Sequence, residues 1–282
     1  MKKLFILFVS LLFAGMLSCE KEVEINFPEA EQEIVVDGWI EQNKQPVVVL
    51  TRTMPYFAEL DSATFRSLVV SKASVKVICD GEEEFLTFQK DTSYFPPWIY
   101  RGLKLRGEAG KTYHLEIVVY DDTLTAQTTL PNPPKLDSIW SEPSPLVDTI
   151  RQLKIRFTDN PHEENYYRIF SRIRDQDPYF EPAYASTLKD HNFNGEEVNM
   201  PVLKGYVSDH SNEDIFYPQN VQVELKFCCI DKVSYEFWKV SQFEKLNALN
   251  PFASSTNNVE GNITGGKGIW CAYGASYYLV DM

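Results

Sequence analysis

Apolar and polar residues alternate over short runs along most of this chain, the period of half-buried β-strands. In the run 73–79, Ala73, Val75, Val77 and Cys79 share one face. Similar runs at 34–36, 39–40, 46–53, 84–88, 98–103, 112–120 and 123–130 make a first set of seven or eight short strands. Asp80-Gly81 and Asp121-Asp122 fall between adjoining runs and suit hairpin turns. Short strands at regular spacing predict an antiparallel β-sandwich. Within this set, Tyr113 lies just inside a strand that follows Gly110, which matches the tyrosine corner of Greek-key sandwiches. Its ring is expected in the core with its hydroxyl on upstream backbone, and His114 is expected to face solvent.

Pro131, Pro133 and Pro134 interrupt the pattern and predict a stiff connector, so a domain boundary is placed there. A second set of strands follows at 136–141, 152–158, 166–174 and 221–230. Tyr166, Ile169 and Ile173 break strict alternation, which predicts a bulge. The insert 175–218 reads as a long loop, and long ordered loops often carry binding. Its aromatic residues Tyr179, Phe180, Tyr184, Phe216 and Tyr217 are candidate partner or ligand contacts. The run 233–249 lacks Gly and Pro and spreads its apolar residues over a wide arc, so it predicts a helix packed across a sheet. Asp231 or Ser234 is placed to cap it. Gly265-Gly266-Lys267-Gly268 precedes an aromatic strand at 269–279 and reads as a tight turn against that helix, because a phosphate cradle needs a helix next. The expected fold class is mainly β. It comprises two β-sandwich domains of immunoglobulin or fibronectin type, at 33–131 and 132–282, the second carrying helix 233–249.

The first residues follow another rule. Lys2-Lys3 precede an almost unbroken apolar run over 4–17, then Ser18 and Cys19. This is the layout of a secretory signal over 1–18, too short for a membrane span. Cys19 sits where a bacterial lipobox is cut and its thioether lipid attached. Glu20, Glu22 and Glu24 make 19–32 an acidic tether. It resembles the tag that sends Bacteroidetes lipoproteins to the cell surface. The expected location is therefore the outer membrane, held by the lipid anchor and facing outward.

Hydrophobic residues at 44% and aromatics at 13% are ample for a real core. The net charge is −13, and once the signal is removed 25 basic residues face 40 acidic ones. That balance excludes a nucleic-acid-binding surface. Beyond Cys19, an oxidising compartment leaves Cys79, Cys228, Cys229 and Cys271 either paired or buried as free thiols. Cys228 and Cys229 point to opposite faces of one strand, and Cys271 is the preferred partner for one of them.

No catalytic constellation emerges, and no cofactor or metal is expected. The four histidines lack metal-ligand spacing, and neither a nucleophile elbow nor a phosphate loop is present. Asp159, Glu163 and Glu164, and separately Asp209, Glu213 and Asp214, are acidic loops whose spacing departs from known calcium loops. Asp-(Ser/Thr)-apolar triplets mark Ser62, Thr123, Ser138 and Thr149 as O-glycosylation candidates.

Four stretches occur in a distinctive order: Val35-Val36-Asp37-Gly38-Trp39-Ile40, Asn165-Tyr166-Tyr167-Arg168-Ile169, Asn250-Pro251-Phe252 and Asn262 to Trp270. Together they resemble domain of unknown function family 4249, a family of Bacteroidetes envelope lipoproteins, over nearly the whole mature chain. The resemblance implies a lipoprotein often encoded beside a TonB-dependent outer-membrane receptor and brings no catalytic residues. The expected role is that of a non-enzymatic accessory or binding partner of such a receptor in nutrient uptake. The rival roles are a surface adhesin or structural module and, further off, a hydrolase built from scattered carboxylates.

Overall fold

The computed structural model describes residues 32–54, 61–144, 149–205, 215–247 and 259–282. The first half contributes β1 (Ile34–Glu41), β2 (Val47–Arg52), a short helix α1 (Ser62–Leu68) and β3 (Ser74–Cys79). It continues with β4 (Glu82–Phe85), β5 (Thr87–Lys90), β6 (Trp98–Arg101), β7 (Thr112–Val119) and β8 (Asp122–Thr129). The second half adds β9 (Ser138–Pro143), β10 (Ile150–Thr158), β11 (Tyr166–Ile173), β12 (Glu181–Lys189), β13 (Glu197–Val202) and β14 (Tyr217–Pro218). Then come β15 (Gln222–Ile230), α2 (Lys232–Asn247) and β16 (Lys267–Asp281). The chain is mainly β, as its alternating pattern requires.

The strands form one eight-stranded sheet, in the order β12-β11-β15-β16-β1-β2-β6-β5, and two four-stranded sheets. One small sheet, β4-β3-β7-β8, encloses with the β1/β2/β16 part of the large sheet a core around Val36, Ile40, Leu50, Val77, Ile117 and Trp270. The other, built on β10 with β9, β13 and β14, encloses a second core with β11 and β15 around Ile155, Phe157, Tyr167, Leu225 and Phe227. Two sandwich-like halves therefore exist, but they are not separate domains. The boundary expected at 131–134 is bridged by β16, whose residues 267–273 pair in parallel with β1 and whose residues 274–281 pair antiparallel with β15. The described body from Gln32 to Met282 is one compact unit. A 15-residue strand can serve two neighbours because each ladder uses a different part of its length. At the change of partner stands Gly274, where a Cβ would lie 2.2 Å from the Pro131 carbonyl oxygen. The proline connector crosses β16 there, and only glycine leaves room for it.

Several local expectations hold. Tyr113 is buried, accepts a hydrogen bond from the Glu108 amide at 2.8 Å and donates to the Arg106 carbonyl at 3.1 Å, completing the tyrosine corner. His114 is exposed. Asp80 and Gly81 both take positive φ in the β3–β4 turn, and the β11–β12 register shifts between Arg168 and Phe170. Asp231 caps α2, its Oδ1 accepting from the Ser234 amide at 2.7 Å. Other expectations change. The separate runs 34–36 and 39–40 are one strand, β1, which continues through Asp37-Gly38. The β7–β8 turn falls one residue early, at Tyr120, which takes a φ of 53°. Much of the insert 175–218 is ordered as β12, β13 and β14 rather than loop, because it supplies an edge to two sheets. The glycine run at 265–268 packs not on α2 but on β1 and β8. A Cβ at Gly268 would lie 1.9 Å from the Val36 carbonyl oxygen and one at Gly265 2.7 Å from that of Thr123.

Candidate functional site: a charged cluster beneath the second helix

Strand alternation sends one set of side chains from the large sheet into the two sandwich cores and the other set to its opposite face. On that opposite face β1 presents Asp37, Trp39 and Glu41, and β11 presents Tyr166, Arg168 and Phe170. β15 adds Lys226 and Cys228, and β16 adds Cys271, Tyr273 and Tyr277. The registers Glu41↔Tyr273, Phe170↔Lys226 and Lys226↔Tyr277 bring them side by side. Helix α2 covers part of this face, with Tyr235 packed on Tyr166 at 5.0 Å between ring centroids and with Phe237 and Trp238 beside it. Asp231 fixes its start to the first half of the chain, because Oδ2 accepts from the Thr128 hydroxyl at 2.7 Å.

Three charged residues are buried here. Glu41 is 3% exposed, Arg168 5% and Lys226 8%. Lys226 Nζ lies 2.6 Å from Glu41 Oε2, and Lys44 Nζ lies 2.6 Å from Oε1. Tyr277 donates to the same Oε1. Burial alone pushes the Glu41 carboxyl up, but Lys226 and Lys44 outweigh it, and the net direction is down. The Lys226 ammonium is pulled down by burial and held above its ordinary value by Glu41. Its Nζ also stands 4.6 Å from the Tyr273 ring centroid and 4.8 Å from that of Phe170, so aromatic faces supply the rest of its shell.

Arg168 is set differently. Its guanidinium lies 3.6 Å from the Trp238 ring centroid and 4.6 Å from that of Phe170, and its Nη1 donates to the Tyr273 hydroxyl at 2.6 Å. Among the described residues no carboxylate forms an ion pair with it, and Nε has no hydrogen-bond partner. Trp238 Nε1 is likewise unpartnered. Burial pushes the Tyr273 hydroxyl well above its ordinary range, with Arg168 pulling the other way. Asp37 is exposed on this face, and Arg168 and Lys245 both draw on its carboxyl.

Arg168 and Trp238 line a cavity of about 170 Å³ between α2 and the edge strand β12. α2 contributes Ser241, Gln242 and Lys245, and β12 contributes Glu181, Pro182, Ala183, Tyr184 and Ser186. Gln242 ties the two walls: its Oε1 accepts from the Ser186 hydroxyl at 3.0 Å, and its Nε2 donates to the Tyr184 carbonyl. Burial pushes the Glu181 carboxyl up, with Lys245 drawing it down. A cationic, aromatic recess of this kind can hold an anion.

The residues singled out from sequence divide. Tyr184 lines the cavity and is 40% exposed. Phe180 is half-buried on Tyr277, and Tyr179 is also half-buried. Phe216 and Tyr217 are not contacts but core: both are buried, and Tyr217 donates to the Ser171 hydroxyl at 2.8 Å. The expected loop is here strand β14, which holds Tyr217, with Phe216 just before it. Cys79, Cys228, Cys229 and Cys271 are all buried free thiols, so the preferred pairing to Cys271 is not formed. Cys228 and Cys271 nonetheless share the cluster beneath α2, and burial pushes both thiols up to about 12. Cys19 lies outside the described residues, as do Asp209, Glu213 and Asp214. Asp159 is committed to the Tyr167 hydroxyl and the Gly195 amide, and Glu164 to Lys189. Thr123 and Thr149 are exposed and Ser138 is half-buried. Ser62 opens α1.

Sequence reading passed over Glu41, Arg168 and Lys226. The signal was there: each is a lone charge at a position that alternation assigns to a buried face, within runs such as Tyr-Tyr-Arg-Ile-Phe and Leu-Lys-Phe.

Fold and site together define a mainly β protein with one sheet shared by two sandwich-like halves and a charged recess under helix α2. The family described as Domain of unknown function (DUF4249) matches residues 20–277, nearly the whole chain, and the protein belongs to it. No curated protein matches the chain. No helix among the described residues is long and apolar enough to cross a membrane.

Proposed function

We propose that this protein is a lipid-anchored outer-membrane lipoprotein, displayed outward, that serves a TonB-dependent receptor as a non-enzymatic binding partner in nutrient uptake. The observation that carries the reading is Cys19, set directly behind a basic start and an apolar run and followed by an acidic tether. A lipid on Cys19 holds the β body at the membrane through a short linker and confines it to the plane where a receptor stands. The recess under α2 supports a binding role, since it offers charge and aromatic surface.

The test is a mild-detergent pull-down of the tagged native lipoprotein from its own outer membrane, with the co-purifying proteins identified by mass spectrometry. A receptor recovered in stoichiometric amount supports the reading. Recovery of the lipoprotein alone sinks it and brings the adhesin role forward.

A further inference from the structure

We infer that the recess between α2 and β12 is a binding site for a small organic carboxylate, with Arg168 as its anion anchor. The case begins with the energetics of Arg168. A guanidinium taken out of water is costly unless its charge and donors are met. Glu41 is buried on the same face of the sheet, but Lys226 and Lys44 already neutralise it. Arg168 contacts ring faces and one tyrosine hydroxyl, the Asp37 carboxyl acts on it from beyond ion-pair distance, and Nε has no acceptor among the described residues. A planar fork stacked on Trp238 is pre-oriented, and a carboxylate is the group whose two oxygens fit such a fork.

The surroundings select the rest of the ligand. Lys245 adds a second positive charge from α2, so the recess sets two cations, Arg168 and Lys245, against one exposed acid on the opposite wall, Glu181. The Trp238 and Tyr184 rings and Ala183 supply apolar wall, which suits the carbon skeleton of an organic acid better than an inorganic anion. The walls are held before any ligand arrives, because Gln242 bonds both Ser186 and Tyr184 across the gap. This inference stands apart from the choice of receptor or host partner, so a failed pull-down leaves it untouched.

The test is calorimetry on the full-length lipoprotein in detergent, with acetate, benzoate and indole-3-acetate as probes and with benzyl alcohol and inorganic phosphate as comparisons. Saturable binding of at least one carboxylate, with none for benzyl alcohol, is expected. Arg168→Gln should weaken it by about tenfold or more, the loss expected of a charge-assisted pair. Because Arg168 is buried and its variant is liable to misfold, Ser241→Phe provides an independent check: it puts a bulky ring into the recess from α2 and should abolish binding with Arg168 intact. Absence of binding by all three carboxylates overturns the inference. So does binding that survives Ser241→Phe, which would place the site elsewhere. Phosphate binding as tightly as the best carboxylate overturns the assignment to an organic acid.

Discussion

Gly38 and Trp270 face each other across the parallel β1–β16 pair, and a Cβ on Gly38 would lie 2.9 Å from Cε3 of the indole. The indole is fully buried, with Nε1 donating to the Tyr113 carbonyl at 2.9 Å. Its backbone is held by Asn262, whose Oδ1 accepts from the Trp270 amide and whose Nδ2 donates to its carbonyl, each at 2.8 Å. Two stretches that stand out in the sequence, Asp37 to Ile40 and Asn262 to Trp270, are thus two sides of one packing contact.

Gly38→Ala therefore overpacks the centre of the first core. The indole cannot retreat without breaking its bond to Tyr113, so a loss of ~1–3 kcal/mol is expected. Thermal denaturation of the variant beside the parent protein measures it, and an unchanged melting temperature would show that the strands can spread at no cost.

Tyr113→Phe removes the hydroxyl that bridges Arg106 and Glu108 while keeping the ring in the core. The expected cost is ~1–3 kcal/mol, because a part-buried carbonyl and amide lose their partner. Denaturant unfolding should show a lower midpoint with the slope unchanged.

The Glu41–Lys226 pair sets a pH window. Glu41 has its carboxyl held below the ordinary 4.5, so its contribution is present above that pH and is lost as pH falls through the depressed value. Lys226 is held above the ordinary 10.5, so its contribution is present below that pH and is lost as pH rises through the elevated value. Lys226→Met leaves the Glu41 carboxylate short of its buried partner and is expected to cost ~3–5 kcal/mol. Glu41→Gln with Lys226→Met should cost less than the two single changes added together. A double-mutant cycle followed from pH 3 to 7 measures both effects, and additive losses would refute the coupling.

The four thiols make a chemical prediction. All are buried, and burial raises Cys228 and Cys271 to about 12, which suppresses the reactive thiolate. A thiol reagent should find none of them in the native protein at neutral pH. It should find four in denaturant without added reductant, Cys19 being consumed by lipid. Two missing thiols would reveal a disulfide.

Asp231→Ala removes both the cap of α2 and its tie to Thr128. A loss of ~1–2 kcal/mol is expected, most of it in the helix. Hydrogen exchange should show amides of α2 exchanging faster while those of β7 and β8 stay protected.

What the sequence determined was local. Alternation placed most strands within a residue or two, because a half-buried strand must repeat every second side chain. Asp80-Gly81 set its turn, the absence of Gly and Pro let 232–247 form a helix, and Tyr113 announced its corner. The tertiary structure decided what no short window carries. It joined β1 to β16 across the whole chain, so that two expected domains became one body around a shared strand. It also turned the insert 175–218 into sheet edges, since an edge forms only where a partner strand is waiting. The recess followed from the same cause. Glu41, Arg168 and Lys226 are lone charges in separate runs, and only the registers of the large sheet set them side by side and brought α2 over them.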